Sequence, residues 1–537
     1  MNGADAIVKC LEEENVKVVY GYPGVAICPF YNSILDSDIR SILIRTEQNA
    51  AHAASGMARV TGEVGVCAVT SGPGATNLIT GIATAFADSI PLVCITGQVN
   101  SELIGSDVFQ EADITGATES FVKYSYLIKD VKEIPRVFKE AFHIARTGRK
   151  GPVLIDVPID IQNREIRGFE YPESVKLRTY KPTVKGNTLQ IKKVVKELEK
   201  ATRPLICVGG GVILSDAAKE LREFVEEYQI PVVSTMMGIS TLPSEHPLYY
   251  GMVGNNGAPC ANRAMKEADL IMMIGARVAD RAVNQPDTIT NGKVLVHIDV
   301  DPAEIGKNAG PTIPIVGDAK SIFEDFLEYE VDGIYDDWIR TLNEYRTSMK
   351  IVRTPNKDFV DPAEFIRELS AQMEDDAVYV ADVGQNQIWS CKYHVVKQGR
   401  FLTSGGMGTM GYSIPAAMGA KVGCPKRQVV AVCGDGSFQM SMMELATMRQ
   451  HDIPVKIIVL KNNYLGMVRQ YQHFTYKDNY SVVDLSGSPD LEHIAKAYDM
   501  KFIRIENMDD YKAGIKKFLK NDEAYLMECL IDPMDLV

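Results

Sequence analysis

The sequence has no excess of basic residues, no C-x-x-C pair, no long apolar run and no internal repeat, and each absence removes a class of function. Lys and Arg number 57 against 70 Asp and Glu, giving a net charge of −13. A nucleic-acid surface needs basic groups to replace phosphate counterions, so none is expected, although local sites for small anions stay open. The ten cysteines are scattered, mostly inside apolar runs. That is the pattern of reduced core thiols in a cytosolic protein, with a metal or disulfide role the lesser alternative. The longest apolar runs, such as 429–433 and 457–460, are far too short to span a bilayer. Residues 2–14 form an amphipathic segment without the basic-then-apolar order of a signal peptide, so no export is expected and the location read is cytoplasmic.

What is present is a composition of 46% hydrophobic and 24% charged residues over 537 positions, close to that of soluble globular proteins. A chain this long exceeds one hydrophobic core and points to three domains. Short Val- and Ile-rich runs alternate with longer helical patterns throughout, which predicts parallel sheets covered by helices. Strands are expected at 16–20, 41–45, 64–70, 91–96 and 152–158. They recur at 204–208, 231–234, 270–274 and 294–298, and again at 377–381, 429–433, 455–460 and 524–530. The fold class is α/β, with three doubly wound parallel-sheet domains at 1–163, 188–330 and 359–537. Two linkers separate them: a charged, poorly periodic stretch at 164–187, and an acidic, helical and then polar stretch at 330–358.

The most informative pattern is Gly434-Asp435-Gly436-Ser437 directly after one expected strand, with Lys461-Asn462-Asn463-Tyr464 directly after the next. Both turns lie at strand carboxyl ends, the edge of an open parallel sheet where ligands bind. A helix opening at Ser437 would aim its N–H groups and positive dipole end at a phosphate. Asp435 and Asn462 supply hard oxygens, and magnesium commonly takes few protein ligands beside diphosphate oxygens and water. A bare G-D-G is equally a turn; its pairing with N-N one strand-helix-strand unit later resembles the diphosphate-binding signature of thiamine-diphosphate enzymes. The resemblance implies that Asp435, Asn462 and the Tyr464 carbonyl hold Mg2+, beside thiamine diphosphate.

Further positions follow from that resemblance. Glu47, where Arg45-Thr46-Glu47-Gln48-Asn49 turns into a helix, matches the family glutamate that hydrogen-bonds the aminopyrimidine ring; the other reading is a helix cap. Ser71-Gly72-Pro73-Gly74-Ala75-Thr76-Asn77 is typical of the family's pyrimidine-binding domain, or else a plain tight turn. Met410, in Gly405-Gly406-Met407-Gly408-Thr409-Met410-Gly411, matches the residue that wedges the cofactor into its bent form, or else is a core methionine. The implied cofactor set comprises Pro23, Gly24, Ser71, Gly72, Pro73, Asn77, Gln98, Gly384, Gln385, Gly408, Met410, Gly434, Asp435, Gly436, Ser437, Asn462, Tyr464, Leu465, Gly466 and Met467. By the same resemblance the three domains are pyrimidine-binding, central nucleotide-binding-like and diphosphate-binding.

Within these enzymes the chain resembles the acetolactate (acetohydroxyacid) synthase large-subunit family. The match runs through Gly21-Tyr22-Pro23-Gly24, Gly97-Gln98-Val99, Phe109-Gln110-Glu111-Ala112-Asp113, Gly151-Pro152-Val153-Leu154, His297-Ile298-Asp299, the stretch 403–417 and Leu465-Gly466-Met467-Val468. That family is a decarboxylating carboligase joining pyruvate to a second 2-oxo acid in branched-chain amino-acid synthesis. Simple decarboxylases of the superfamily carry adjacent histidines near Phe109-Gln110-Glu111; none of the eight histidines here has a histidine neighbour. The resemblance gives Glu47, Phe109, Gln110 and Arg281 catalytic roles, Arg281 clamping the acceptor carboxylate. It implies FAD without a redox step on Gly209-Gly210-Gly211, Gly275, Arg277, Asp299 and Asp318; a vacant structural domain is the alternative.

Departures gather near the acceptor site. Gly254-Asn255-Asn256-Gly257 stands for G-M-H-G, Arg277-Val278-Ala279-Asp280-Arg281 for R-F-D-D-R, Ile159 for a lysine and Tyr471 for a tryptophan, and the sequence ends at Val537 short of the usual lid. Preference between pyruvate and 2-oxobutyrate is therefore open. So are a relative using another 2-oxo acid or acyl acceptor, and a non-catalytic paralogue that binds cofactor or a partner. The family's shared sites imply a homodimer or homotetramer, with a small regulatory subunit as a further partner class.

Overall fold

Runs that are apolar on both faces can only be buried between layers of helix, and the computed structural model, which describes residues 1–349 and 353–537, arranges them so. The first sheet contains β1 (Val18–Tyr22), β2 (Arg40–Leu43), β3 (Gly65–Val69), β4 (Leu92–Gln98), β5 (Tyr124–Leu127) and β6 (Pro152–Pro158), in the order β2-β1-β3-β4-β6-β5. The second contains β7 (Pro204–Val208), β8 (Val232–Ser234), β9 (Tyr249–Met252), β10 (Leu270–Ile274), β11 (Val294–Asp299) and β12 (Ile313–Val316), ordered β12-β11-β10-β7-β8-β9. The third contains β13 (Val378–Ala381), β14 (Arg400–Thr403), β15 (Val429–Gly434), β16 (Lys456–Lys461), β17 (Lys501–Ile505) and β18 (Tyr525–Leu530), ordered β14-β13-β15-β16-β18-β17. Adjacent strands pair in parallel, for example β15 with β16 and β7 with β10.

The first and third sheets share one winding, and the second has the doubly wound order of dinucleotide-binding folds. The winding of each sheet reverses between β1 and β3, β7 and β10, or β13 and β15, and in the first and third sheets the last two strands are also exchanged. The turns leaving those strands are the places where a crevice forms.

The strands absent from the sequence reading, β5, β9, β12, β14 and β17, all lie at sheet edges. Edge strands are covered on one side only, so they lack a continuous apolar run; β17 alternates between exposed and buried positions.

The first and third domains share one apolar cluster, from Ala50 and Met57 to Ala416 and Ile457. At its centre helix Glu47–Thr61 crosses helix Ser413–Gly423. Small residues allow this: a Cβ on Gly56 would stand 1.9 Å from the Ala416 carbonyl oxygen, and one on Gly419 would stand 1.8 Å from that of Ala53.

The 330–358 linker is only partly a linker. Residues 350–352 lie outside the described ones, but helix Asp336–Ser348 packs on the middle sheet, burying Trp338, whose indole N–H donates to the Pro204 carbonyl at 3.1 Å.

Candidate active site

At the carboxyl edge of the first sheet, Glu47 opens its helix after the N-cap Thr46. The carboxylate does not cap that helix in any recorded bond. It accepts the Asn77 side-chain N–H at 3.0 Å, and its Oε1 faces Gly74 of the next turn. The hydroxyl of Thr70, buried and without a hydrogen-bond partner among the described residues, lies against Gly24, and the methyl of the same side chain lies against Gly74. Gly72 takes φ +57°, and any side chain there would press on Gln110, itself at φ +60°. Pro23 and Gly24 follow β1, Ser71 and Gly72 follow β3, Pro73 and Asn77 open the next helix and Gln98 ends β4, all at the same edge of the sheet as Glu47, while Phe109 is 88% exposed on the loop leading to Gln110.

Two carboxylates that no motif announces hold this half in place. Asp156 of β6 is buried; it accepts the Thr96 hydroxyl at 2.6 Å and the Gln98 amide at 2.9 Å, and that amide also reaches the Ala112 carbonyl at 2.8 Å. Burial raises its pKa to about 7, against the lowering effect of those bonds. Glu444, fully buried in the third domain, accepts the Arg45 backbone N–H at 3.0 Å, the Asn49 amide at 2.9 Å and the Thr447 hydroxyl at 2.6 Å. It brackets Glu47 from a position about 400 residues away in sequence. An acidic residue inside the apolar strand 152–158 could have flagged Asp156; nothing in the sequence flags Glu444.

The second half lies at the carboxyl edge of the third sheet. The helix expected at Ser437 begins two residues earlier, spanning Asp435–Ser441, because Gly434 is already its N-cap. Asp435 is buried and accepts the Asn463 N–H at 2.7 Å and the Gly436 N–H at 3.2 Å. Burial lifts its pKa to about 6, the N–H groups and Lys461 opposing, and no cation stands within ion-pair distance among the described residues. Asn462 donates to Gln385 Oε1 at 3.2 Å and accepts the Tyr464 N–H at 3.0 Å. Gly466 abuts both Gln385 and Asn462, and the Met410 methyl and Leu465 lie against Gly436.

Asp382, after β13, is also absent from the sequence reading. Fully buried, it accepts the N–H groups of Val383 at 2.8 Å, Gly411 at 2.9 Å and Ser413 at 2.8 Å, fixing the turn that carries Gly408 and Met410. The Asp435 carboxylate and the Asn462 side-chain oxygen, at the ends of neighbouring strands and with no ion-paired cation among the described residues, are hard donors of the kind a divalent ion suits. No recorded hydrogen bond or ion pair among the described residues joins Glu47 to Asp435, Asn462 or Gln385.

In the middle domain a cavity of about 520 Å3 opens at the β7/β10 reversal, lined by Gly210, Gly211, Gly275, Arg277, Asp299 and Asp318. Gly209 does not line it; its backbone packs on Gly275 instead. Burial raises the Asp299 pKa to about 6. Arg281, Asn255 and Asn256 stand on the same wall, and Gly384, Gly408 and Met467 reach it from the third domain. Arg281 has a largely exposed side chain, and Tyr471 is exposed on helix Gly466–Tyr476.

Residues 1–117 match the N-terminal TPP binding domain of thiamine pyrophosphate enzymes, 191–326 the central domain and 382–529 the C-terminal TPP binding domain. The "Probable acetolactate synthase large subunit" of Methanocaldococcus jannaschii is 45% identical, with 100% of this chain and 93% of the relative covered. The protein of the same name from Methanococcus aeolicus is 43% identical over 99% of this chain and 92% of its own length. The "Acetolactate synthase large subunit" of Lactococcus lactis is 41% identical over 100% of this chain and 93% of its own length. With sheet windings, strand-end turns and full-length similarity in agreement, the chain belongs to the thiamine pyrophosphate enzyme family, among the acetolactate synthase large subunits.

Proposed function

We propose that the protein is a decarboxylating carboligase that converts two 2-oxo acid molecules, foremost pyruvate, to 2-acetolactate and CO2 with uptake of one proton. The observation that carries this is the position of Asp435 and Asn462 at the ends of the neighbouring strands β15 and β16, in a chain similar to acetolactate synthases along its whole length. Thiamine diphosphate, when bound, supplies the nucleophilic carbon and the electron sink for decarboxylation. Asp435, Asn462 and the Tyr464 carbonyl are the residues that would hold Mg2+ against its diphosphate. The backbone N–H group of Ser437, in the first turn of helix Asp435–Ser441, would add a donor to the diphosphate. Glu47, buried and oriented by Asn77, is the carboxylate that would hydrogen-bond the pyrimidine ring and hold the proton there. Arg281 would receive the acceptor's carboxylate, and Phe109 and Gln110 would cover the reacting centre. The cavity at the β7/β10 reversal suits FAD as a bound, non-reacting group: glycines leave room for a diphosphate and Asp299 offers acceptors for a ribose.

Glu47 has its hydrogen-bond partner, Asn77, in the first domain, and Asp435 has its own in the third, so we assign each complete site to two copies of the chain. A cytoplasmic location accords with ten free cysteines. Relatives carry the name large subunit, and a smaller regulatory chain is the further partner that this reading implies. The direct test is purified protein with pyruvate, thiamine diphosphate, Mg2+ and FAD. Acetolactate is the expected product, and acetaldehyde alone would overturn the assignment. Asn255, Asn256 and Tyr471 near the acceptor wall favour a second reading, a different acceptor acid, which a panel of 2-oxo acids would decide.

A further inference from the structure

A separate cavity of about 530 Å3 opens where the amino ends of the first and third sheets meet helix Gly210–Leu214 of the middle domain. Arg59, Lys150, Arg400 and Arg427 line it, with the carboxylates Glu63, Asp88 and Asp216. The charges do not cancel by pairing. Asp88 is taken by Arg59 at 3.0 Å and by the Gly406 N–H at 2.7 Å. Glu63 and Asp216 are exposed, and Asp216 leans toward Lys320 at 3.9 Å. Arg427 makes a loose pair with Asp376 at 3.6 Å.

Arg400 and Lys150 are then left without a carboxylate within ion-pair distance among the described residues. The recorded hydrogen bond of Arg400 goes to the Arg59 carbonyl at 2.9 Å. Burial, followed by repulsion from Arg427 and Arg59, lowers its pKa to about 10, and burial lowers that of Lys150. A half-buried guanidinium among like charges is costly unless an anion compensates it. Planar guanidinium forks match phosphate oxygens two at a time.

We propose that this cavity binds a phosphate-bearing small molecule, its phosphate set among Arg400, Arg427 and Lys150. The volume lies within the range of small-molecule sites and exceeds what a free ion fills, which favours an organic phosphate of nucleotide size. The site adjoins the flavin cavity, with Asp88, Lys150, Gly210, Leu214 and Met237 lining both, but Arg59, Arg400 and Arg427 line this one alone. The two ligands would be neighbours, so occupancy here could tune the middle domain without touching the strand-end chemistry.

The test is calorimetric titration of the protein, already saturated with flavin and thiamine diphosphate, with ADP, inorganic phosphate and adenosine. ADP binding that weakens with salt is expected, with no binding of adenosine. Arg400→Gln and Arg427→Gln should each weaken ADP at least tenfold while flavin absorbance stays unchanged, and Arg400→Lys should retain most of the affinity. Inorganic phosphate binding as tightly as ADP would support the site and name the free ion as its occupant. No heat from either phosphate at millimolar concentration, or ADP binding unaltered in both Gln variants, would overturn the proposal. Binding seen only when flavin is left out would overturn it as well. Arg427, whose guanidinium only touches the Asp376 region at the rim, keeps the test available if the Arg400 variant fails to fold.

Discussion

Single side chains carry the chemistry through what holds them. Glu47 is oriented by Asn77 and bracketed by Glu444, so Glu47→Gln should fold normally and bind thiamine diphosphate within a few-fold of the parent. Its turnover should nevertheless fall by at least about 10²-fold, the usual weight of a positioned proton-transfer group. Steady-state kinetics beside a cofactor titration check this, and a variant as active as the parent would remove Glu47 from the mechanism. Asp156 offers a prediction in pH. Its folded pKa of about 7 exceeds the ordinary value of 3.8, so between those values the folded state binds more protons than the unfolded one. This group's contribution therefore makes the protein less stable as pH rises from about 4 to 7. Asp156→Asn, able to accept from Gln98 and donate to Thr96, should keep the fold and flatten that part of the slope. Urea midpoints of both proteins at pH 5 and 7.5 measure the difference; parallel pH dependences would refute it. Asp435 and Asn462 were legible because their neighbours form a motif. Asp156, Asp382 and Glu444 were not, because a lone carboxylate in an apolar stretch acquires its partners only on folding.

Among the elements, the crossing of helix Glu47–Thr61 with helix Ser413–Gly423 sets the spacing between the first and third domains. The backbones approach at Gly56 and Gly419, so Gly56→Ala and Gly419→Ala should each overpack the crossing and cost about 1–3 kcal/mol. Chemical denaturation reads this directly, and a neutral result at both positions would mean that the helices can slide apart freely. The interior strands of each sheet were readable because covering on both faces demands unbroken apolar runs. The edge strands β5, β9, β12, β14 and β17 were not, because half-exposed segments satisfy their backbone without that composition. Helix Asp336–Ser348 was read as linker for a related reason: its Asp- and Arg-rich surface conceals the few residues, Trp338 and Leu342, that seat it.

For the whole molecule, no hydrogen bond or ion pair among the described residues joins Glu47 to Asp435, Asn462 or Gln385 within one chain, and the two-copy reading makes a complementation prediction. Glu47→Gln and Asp435→Asn proteins should each be inactive alone. Mixed and reassembled in equal amounts, they should regain about a quarter of parental activity, since half the dimers then carry one intact site. Persistent inactivity of mixed dimers, with mixing confirmed by mass, would place both halves in one chain. The sequence alone determined the α/β class and the family, because strand periodicity and strand-end turns are local in sequence. Only the tertiary structure decided that Glu444 holds the Glu47 turn, and that Arg400 and Lys150 are left without carboxylates where three domains meet. Those facts depend on how separate domains dock, and burial gives a charge its energetic weight only after docking has chosen its neighbours.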